Sequence, residues 1–170
     1  SFIENGLPHY ENANDPSKTW NSYLSPYLHF GIISPVRIYH EVEMAAATKK
    51  IPQASLEGFI EQLLVRRELA FNFIYYEPGY DDFKSMTYEW AYKTMDDHRD
   101  DHREYTYTIR DYESLISHDI YFIKAMQDMM EKGTMPNYMR MYWGKKILEW
   151  SESYEEAYTT TLYLNNKYFL

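Results

Sequence analysis

The sequence predicts an all-α fold, and three observations carry that expectation. Apolar residues recur at three- and four-residue steps along the longer stretches, as one face of a helix requires. Helix starts are marked by capping residues: Ser34-Pro35, Thr108 with Asp111, and Ser153 with Glu156. Helix stops are marked by glycine and proline, at Pro52, at Glu77-Pro78-Gly79 and at Gly133. Tyr105–Ile109 is the one candidate for a strand.

In chain order, residues 1–34 read as an extended lead-in. Gly6, Pro8, Pro16, Pro26 and Gly31 interrupt any long period there, and Asn12, Asn14 and Asp15 favour turns. Residues 35–170 are expected to form one helical domain. Its first helix covers about 35–49. The longest follows at about 54–76, with Leu56, Phe59, Ile60, Leu63, Leu64, Phe71 and Ile74 as a core stripe. A short helix covers about 88–97, leading into the run Asp96–Glu104, DDHRDDHRE. Further helices are expected at about 110–131, 136–150 and 154–168.

The totals bound the protein class. A chain of 170 residues, 45% hydrophobic, is long enough for a sizeable core. Aromatics make up 18%, and 19 residues are tyrosine, which favours half-buried positions that line a pocket or cover a partner. The formal charge of −9 argues against a free-standing nucleic-acid binder and leaves a local basic strip, from Arg66, Arg67, Arg140, Lys145 and Lys146, as the route to DNA. The absence of cysteine excludes a disulfide framework and a thiolate metal site, and suits an intracellular, cytoplasmic protein. No run of apolar residues is long enough for a membrane span. The chain starts on Ser1 and stops in mid-pattern at YLNNKYFL, so both ends are expected to be cut.

The stretch Gly133–Ser151 organises the rest. Trp143 and Trp150 lie seven residues apart, which puts both indoles on one stripe of a helix, about 10 Å apart along its axis. Tyr138, Met139, Tyr142 and Ile147 lie on or beside that stripe, and Lys145, Lys146 and Glu149 lie mostly off it. Two readings fit: a core-facing aromatic helix, or a pair of redox-capable indoles serving a cofactor.

The letters themselves go further. Asn137-Tyr138-Met139-Arg140-Met141-Tyr142-Trp143-Gly144-Lys145-Lys146-Ile147-Leu148-Glu149-Trp150 resembles a signature of class II cyclobutane pyrimidine dimer photolyases, in the photolyase/cryptochrome family. The resemblance runs from the first residues to the last. It implies an incomplete piece of the multi-helix FAD-binding domain of a light-driven DNA repair enzyme. Asn21-Ser22-Tyr23-Leu24-Ser25-Pro26 looks like the segment that wraps the flavin diphosphate, which makes Asn21, Ser22, Leu24 and Ser25 cofactor-binding candidates, with Tyr10 ahead of them. Asn137 and Arg140 match positions on the flavin. Asn137, Met141, Arg67 and Glu68 match positions facing the damaged bases, with Glu68 expected to donate from a protonated carboxyl among apolar neighbours. Trp143 and Trp150 match the electron-transfer positions.

The resemblance also has departures. Phe122 and Ile123 stand where the family usually has Trp-Asn, so an electron route would lose a link unless Tyr121 substitutes. Pro136 replaces a usual histidine and removes a backbone donor. His98 and His102 in DDHRDDHRE are spaced as a metal pair could be, but Arg99 follows His98 where a zinc-protease motif needs Glu, so the run is read as a solvated loop with no metal.

The expected parent is therefore a carbon–carbon lyase acting on damaged DNA with FAD. This segment alone is expected to hold FAD weakly or not at all, to be inactive, and to self-associate through an exposed apolar face. The alternative is a non-repairing cryptochrome-like photosensor or a degenerate helical interaction domain, towards which Phe122, Ile123 and Pro136 point.

Overall fold

The computed structural model describes residues 1–18 and 20–169, which are helical with no strand among the described residues. They divide into two compact units, Ser1–Tyr76 and Glu77–Phe169.

The first unit begins with α1 (Phe2–Asn5), a 3-10 turn at Leu7–Asn12 and α2 (Ser25–His29), so the lead-in is less extended than its composition suggests. Pro8 and Pro26 sit in first turns, where a missing N–H costs nothing, and so start these pieces where they were expected to interrupt them. After α3 (Pro35–Thr48) comes one long rod: α4 (Gln53–Ile60), a π-helical turn at Glu61–Arg66, and α5 (Arg67–Tyr76). The 3-10 turn packs on α4, and Ser55 fastens the two. Its hydroxyl accepts from the Glu11 amide (3.2 Å) and donates to the Pro8 carbonyl (3.3 Å). Leu7, Ile38, Val42, Leu56, Phe59 and Leu63 form the core.

That core stops at Leu63. Phe71 and Ile74, expected on the core stripe, are 56% and 52% exposed. The break falls at the π turn, beyond which α5 buries no face at all: Leu69, Phe73, Tyr75 and Tyr76 are exposed as well.

The second unit holds α6 (Glu89–Asp97), α7 (Ile109–Glu113), α8 (Ile120–Lys132), α9 (Asn137–Glu149) and α10 (Tyr154–Tyr168). The single helix expected over 110–131 is two. Thr108 and Asp111 do form the predicted capping box, but α7 ends at Ser114, and Leu115 takes φ +58°. Asp119 then caps a new helix, accepting from the amides of Tyr121 (2.8 Å) and Phe122 (3.0 Å). Gly133, at φ +65°, closes α8 in the left-handed conformation that glycine adopts without strain. Tyr105–Ile109 forms no strand. Its one long-range backbone bond runs from the Tyr107 amide to the Trp150 carbonyl at 3.2 Å.

Helix α9 is central, with α8 and α10 packed on it. The core comprises Tyr112, Phe122, Ala125, Met126, Met129, Met135, Trp143, Ile147, Trp150, Ala157 and Leu164. The DDHRDDHRE run lies at its edge, exposed except for a half-buried Arg103. His98 pairs with Asp101 at 2.8 Å, while Arg99 bridges Asp96 (3.0 Å) and Glu155 (3.2 Å).

Candidate functional site

In the second unit the candidates sort onto two sides of α9. Asn137, Arg140 and Met141, at three- and four-residue spacing, are exposed together. Trp143, Ile147 and Trp150 face inward and are at most 2% exposed. Neither indole points to bulk water. Trp143 donates its N–H to the Met126 sulfur at 2.9 Å and meets the Phe169 ring edge-on at 6.1 Å. Trp150 packs on Phe122 (5.1 Å), His118 (4.9 Å) and Tyr107 (5.5 Å). Phe122 thus sits against Trp150, filling with a phenyl ring the position where the resemblance expects an indole. Tyr121, its proposed substitute, is 66% exposed.

Arg140 is held from an unexpected direction. Its Nη2 donates to Asn165 Oδ1 at 3.0 Å, and its guanidinium lies 3.8 Å from the centre of the Phe169 ring. Both partners come from α10 and the residue after it, and nothing in their local pattern marks them in advance. Only the packing of α10 on α9 brings them to Arg140.

Next to Trp143, the Tyr142 hydroxyl donates to the Asp119 carboxylate in a short hydrogen bond. Burial and that carboxylate push the Tyr142 phenol up to about 12. Burial alone would raise the Asp119 carboxyl. Hydrogen bonds from Tyr142, Phe122 and Tyr121, with Lys146 near, outweigh it and hold the group below its ordinary value. This junction was also missed in the sequence, although Asp119 three residues before Phe122 is a legible cap signal.

In the first unit Tyr10 is half-buried, edge-on to Phe59 (5.2 Å) and Phe2 (6.1 Å), and burial pushes its phenol up. Asn21, Ser22 and Leu24 are half-buried and Ser25 exposed. The Ser22 hydroxyl accepts from the Leu24 amide at 3.4 Å, which leaves its O–H free to donate. Tyr23 between them has φ +55°, a left-handed conformation that a bulky side chain rarely takes and that turns the loop sharply.

Arg67 and Glu68 follow the π turn at the start of α5. They pair with each other at 3.2 Å, and Arg67 stacks on Phe71 at 4.5 Å. The Glu68 side chain is 60% exposed. The first unit therefore does not supply the apolar surroundings expected to keep that carboxyl protonated. The proposed basic strip is likewise not a row of free cations: Arg66 pairs with Glu61 (3.0 Å) and Lys146 with Glu149 (2.7 Å).

Among the described residues no cluster of His, Asp or Glu could hold a metal ion, and no helix is long and apolar enough to cross a membrane.

No protein-family model matches the chain. Individual proteins do. It is 44% identical over 168 residues to a deoxyribodipyrimidine photo-lyase of Methanothermobacter thermautotrophicus, covering 98% of this chain and 36% of that protein. A deoxyribodipyrimidine photo-lyase of Oryza sativa subsp. japonica matches at 46% over 98% of the chain and 33% of its own length. One of Potorous tridactylus matches at 39% over 100% of the chain and 31% of its own length. The chain thus spans about a third of the length of these relatives. Throughout that span, it is similar to deoxyribodipyrimidine photo-lyases.

Proposed function

We propose that this chain is the helical flavin-domain part of a class II photolyase, which uses light and reduced FAD to split cyclobutane pyrimidine dimers in DNA. The observation that carries the proposal is identity of 39–46% along essentially the whole chain, with the polar and electron-transfer candidates on opposite sides of one helix.

The residues present fit the proposed cofactor. Tyr10, Asn21, Ser22 and Ser25 offer phenol, amide and hydroxyl donors suited to the polar edges of a dinucleotide. Arg140, already oriented by Asn165, offers a cation, and Asn137 a paired donor and acceptor. Bound FAD supplies the one-electron chemistry, and the protein supplies position and environment. Met141 and Asn137, exposed on α9, are the candidates in this unit for contact with a dimer turned out of the duplex. Arg67 and Glu68 are the dimer-contact candidates of the first unit. With roughly two thirds of its relatives' length outside this span, the segment alone holds FAD weakly and does not repair DNA. Trp143 and Trp150, buried and in van der Waals continuity with an aromatic core, serve photoreduction of the flavin.

A chimera tests the proposal: these 170 residues replace the matching segment of the archaeal relative. The expected result is a flavin-loaded protein that removes dimers from irradiated DNA only in light. A chimera that binds flavin and photoreduces it without removing dimers refutes repair and supports a photosensor.

A further inference from the structure

We propose that Met126 is a positioning residue that keeps Trp143 protonated when the indole loses an electron, so that the charge left behind remains a mobile hole. This deepens the reading of Trp143 as an electron relay and rests on it for its purpose, though not for its test.

The argument starts from where the indole N–H goes. Trp143 is 2% exposed and Met126 fully buried, and the N–H points at the thioether sulfur at 2.9 Å. That sulfur is the one acceptor found for this N–H among the described residues. Both side chains belong to one buried cluster with Phe122, Ala125, Met129, Ile147 and Leu164, shut off from the surface. A thioether accepts a hydrogen bond weakly and does not take up a proton near neutral pH.

Oxidation makes an indole N–H strongly acidic. Where a carboxylate, an imidazole or water can receive the proton, the radical cation becomes a neutral radical, and the hole is trapped until a proton is found. Here no bond breaks. One electron leaves the π system, taken in the proposed reaction by photo-excited oxidised flavin, and the proton stays on nitrogen, shared with sulfur. The neighbouring phenol shows the contrast: Tyr142 gives its O–H to the Asp119 carboxylate, a group able to hold the proton. Two adjacent side chains on α9 are thus given acceptors of opposite character by α8, one at its cap and one two turns in.

The test needs no flavin. In the chain with Trp20, Trp90 and Trp150 changed to Phe, Trp143 is the only indole. Flash photoionisation at the red edge of indole absorption, with a dissolved scavenger for the ejected electron, then reports one site. The expected transient is the radical cation, with an exchangeable N–H coupling, unchanged from about pH 5 to 8. Adding Met126→His places a base at the sulfur, and the neutral radical then appears above the imidazole's titration and the cation below it. If the native chain deprotonates as fast as the urea-unfolded chain, the proposal is overturned, and this comparison decides even where the histidine variant does not fold. Met126→Leu in the unmodified chain provides an independent check: loss of the sulfur moves the Trp143 indole N–H resonance, and an unmoved resonance rules the contact out. A chain that keeps its proton while the chimera fails to photoreduce flavin refutes the relay alone. Rapid deprotonation beside normal photoreduction refutes the role of Met126 alone.

Discussion

Asp119 is the residue whose removal tests most of the second unit at once. Its carboxylate caps α8 through two amides and anchors α9 through Tyr142. Loss of an N-cap costs about 1 kcal/mol. Loss of a hydrogen bond to a charged acceptor costs about 1.5–3 kcal/mol. Asp119→Ala is therefore expected to destabilise the unit by about 2–4 kcal/mol, and Asp119→Asn, which keeps the cap, by about half as much. Urea denaturation followed by fluorescence of the buried tryptophans reads both. Tyr142→Phe completes a double-mutant cycle, with an expected interaction energy of about 1–2 kcal/mol. The pH dependence has a definite sign. Because the folded Asp119 carboxyl titrates below its ordinary value, its contribution is complete above about pH 4 and fades as pH falls through the folded value. For Tyr142, raised to about 12, the contribution is complete below the free phenol's value and is lost as pH climbs to the folded one. Strict additivity of the Ala and Phe variants would refute the bond between α8 and α9.

Three further substitutions probe other links. Gly144 lies mid-helix in α9, and an added Cβ there meets nothing within 4 Å. Gly144→Ala should therefore raise stability by about 0.5–1 kcal/mol, and a lower melting temperature would contradict the open space. Phe122→Trp introduces the indole that the resemblance leads one to expect, but the site is 1% exposed and closed by Tyr112 and Trp150, so overpacking should cost about 1–3 kcal/mol in denaturation. Ser55→Ala removes the tie between the 3-10 turn and α4 and leaves the Glu11 amide without its hydroxyl partner, costing about 1–3 kcal/mol; unchanged stability would show the tie to be idle.

Much of this was legible in the chain because the signals are local. The capping residues Thr108 and Ser153, the closing Gly133 and the tryptophan helix all lie within a residue or two of their predicted places, since each depends only on bonds within a turn. The family signature was equally readable, as a string of side chains. Three features were not. The π turn at Glu61–Arg66 has no composition cue, and beyond it α5 packs on nothing in its unit, which leaves Phe71 and Ile74 exposed where periodicity put them inside. The split between α7 and α8 was hidden because Tyr112, Phe122, Ala125 and Met126 all reach one core, so the apolar pattern runs on across a break in the backbone. Asn165 beside Arg140 depends on how two helices pack, which no window of sequence contains.

The two readings of the tryptophan stripe, core and electron relay, turn out not to compete. An indole that passes a positive charge without losing its proton has to be dry, fixed and free of nearby bases, and a well-packed core meets those conditions. Burial at 2% exposure is therefore compatible with both readings of Trp143, and periodicity could never have separated them. What the proposed relay adds to core packing is a demand on the partner of the N–H. Structural need alone is met by any acceptor, the backbone included. A thioether at 2.9 Å meets it with a group that cannot take the proton, and flavin photoreduction in the chimera is the measurement that separates the two roles.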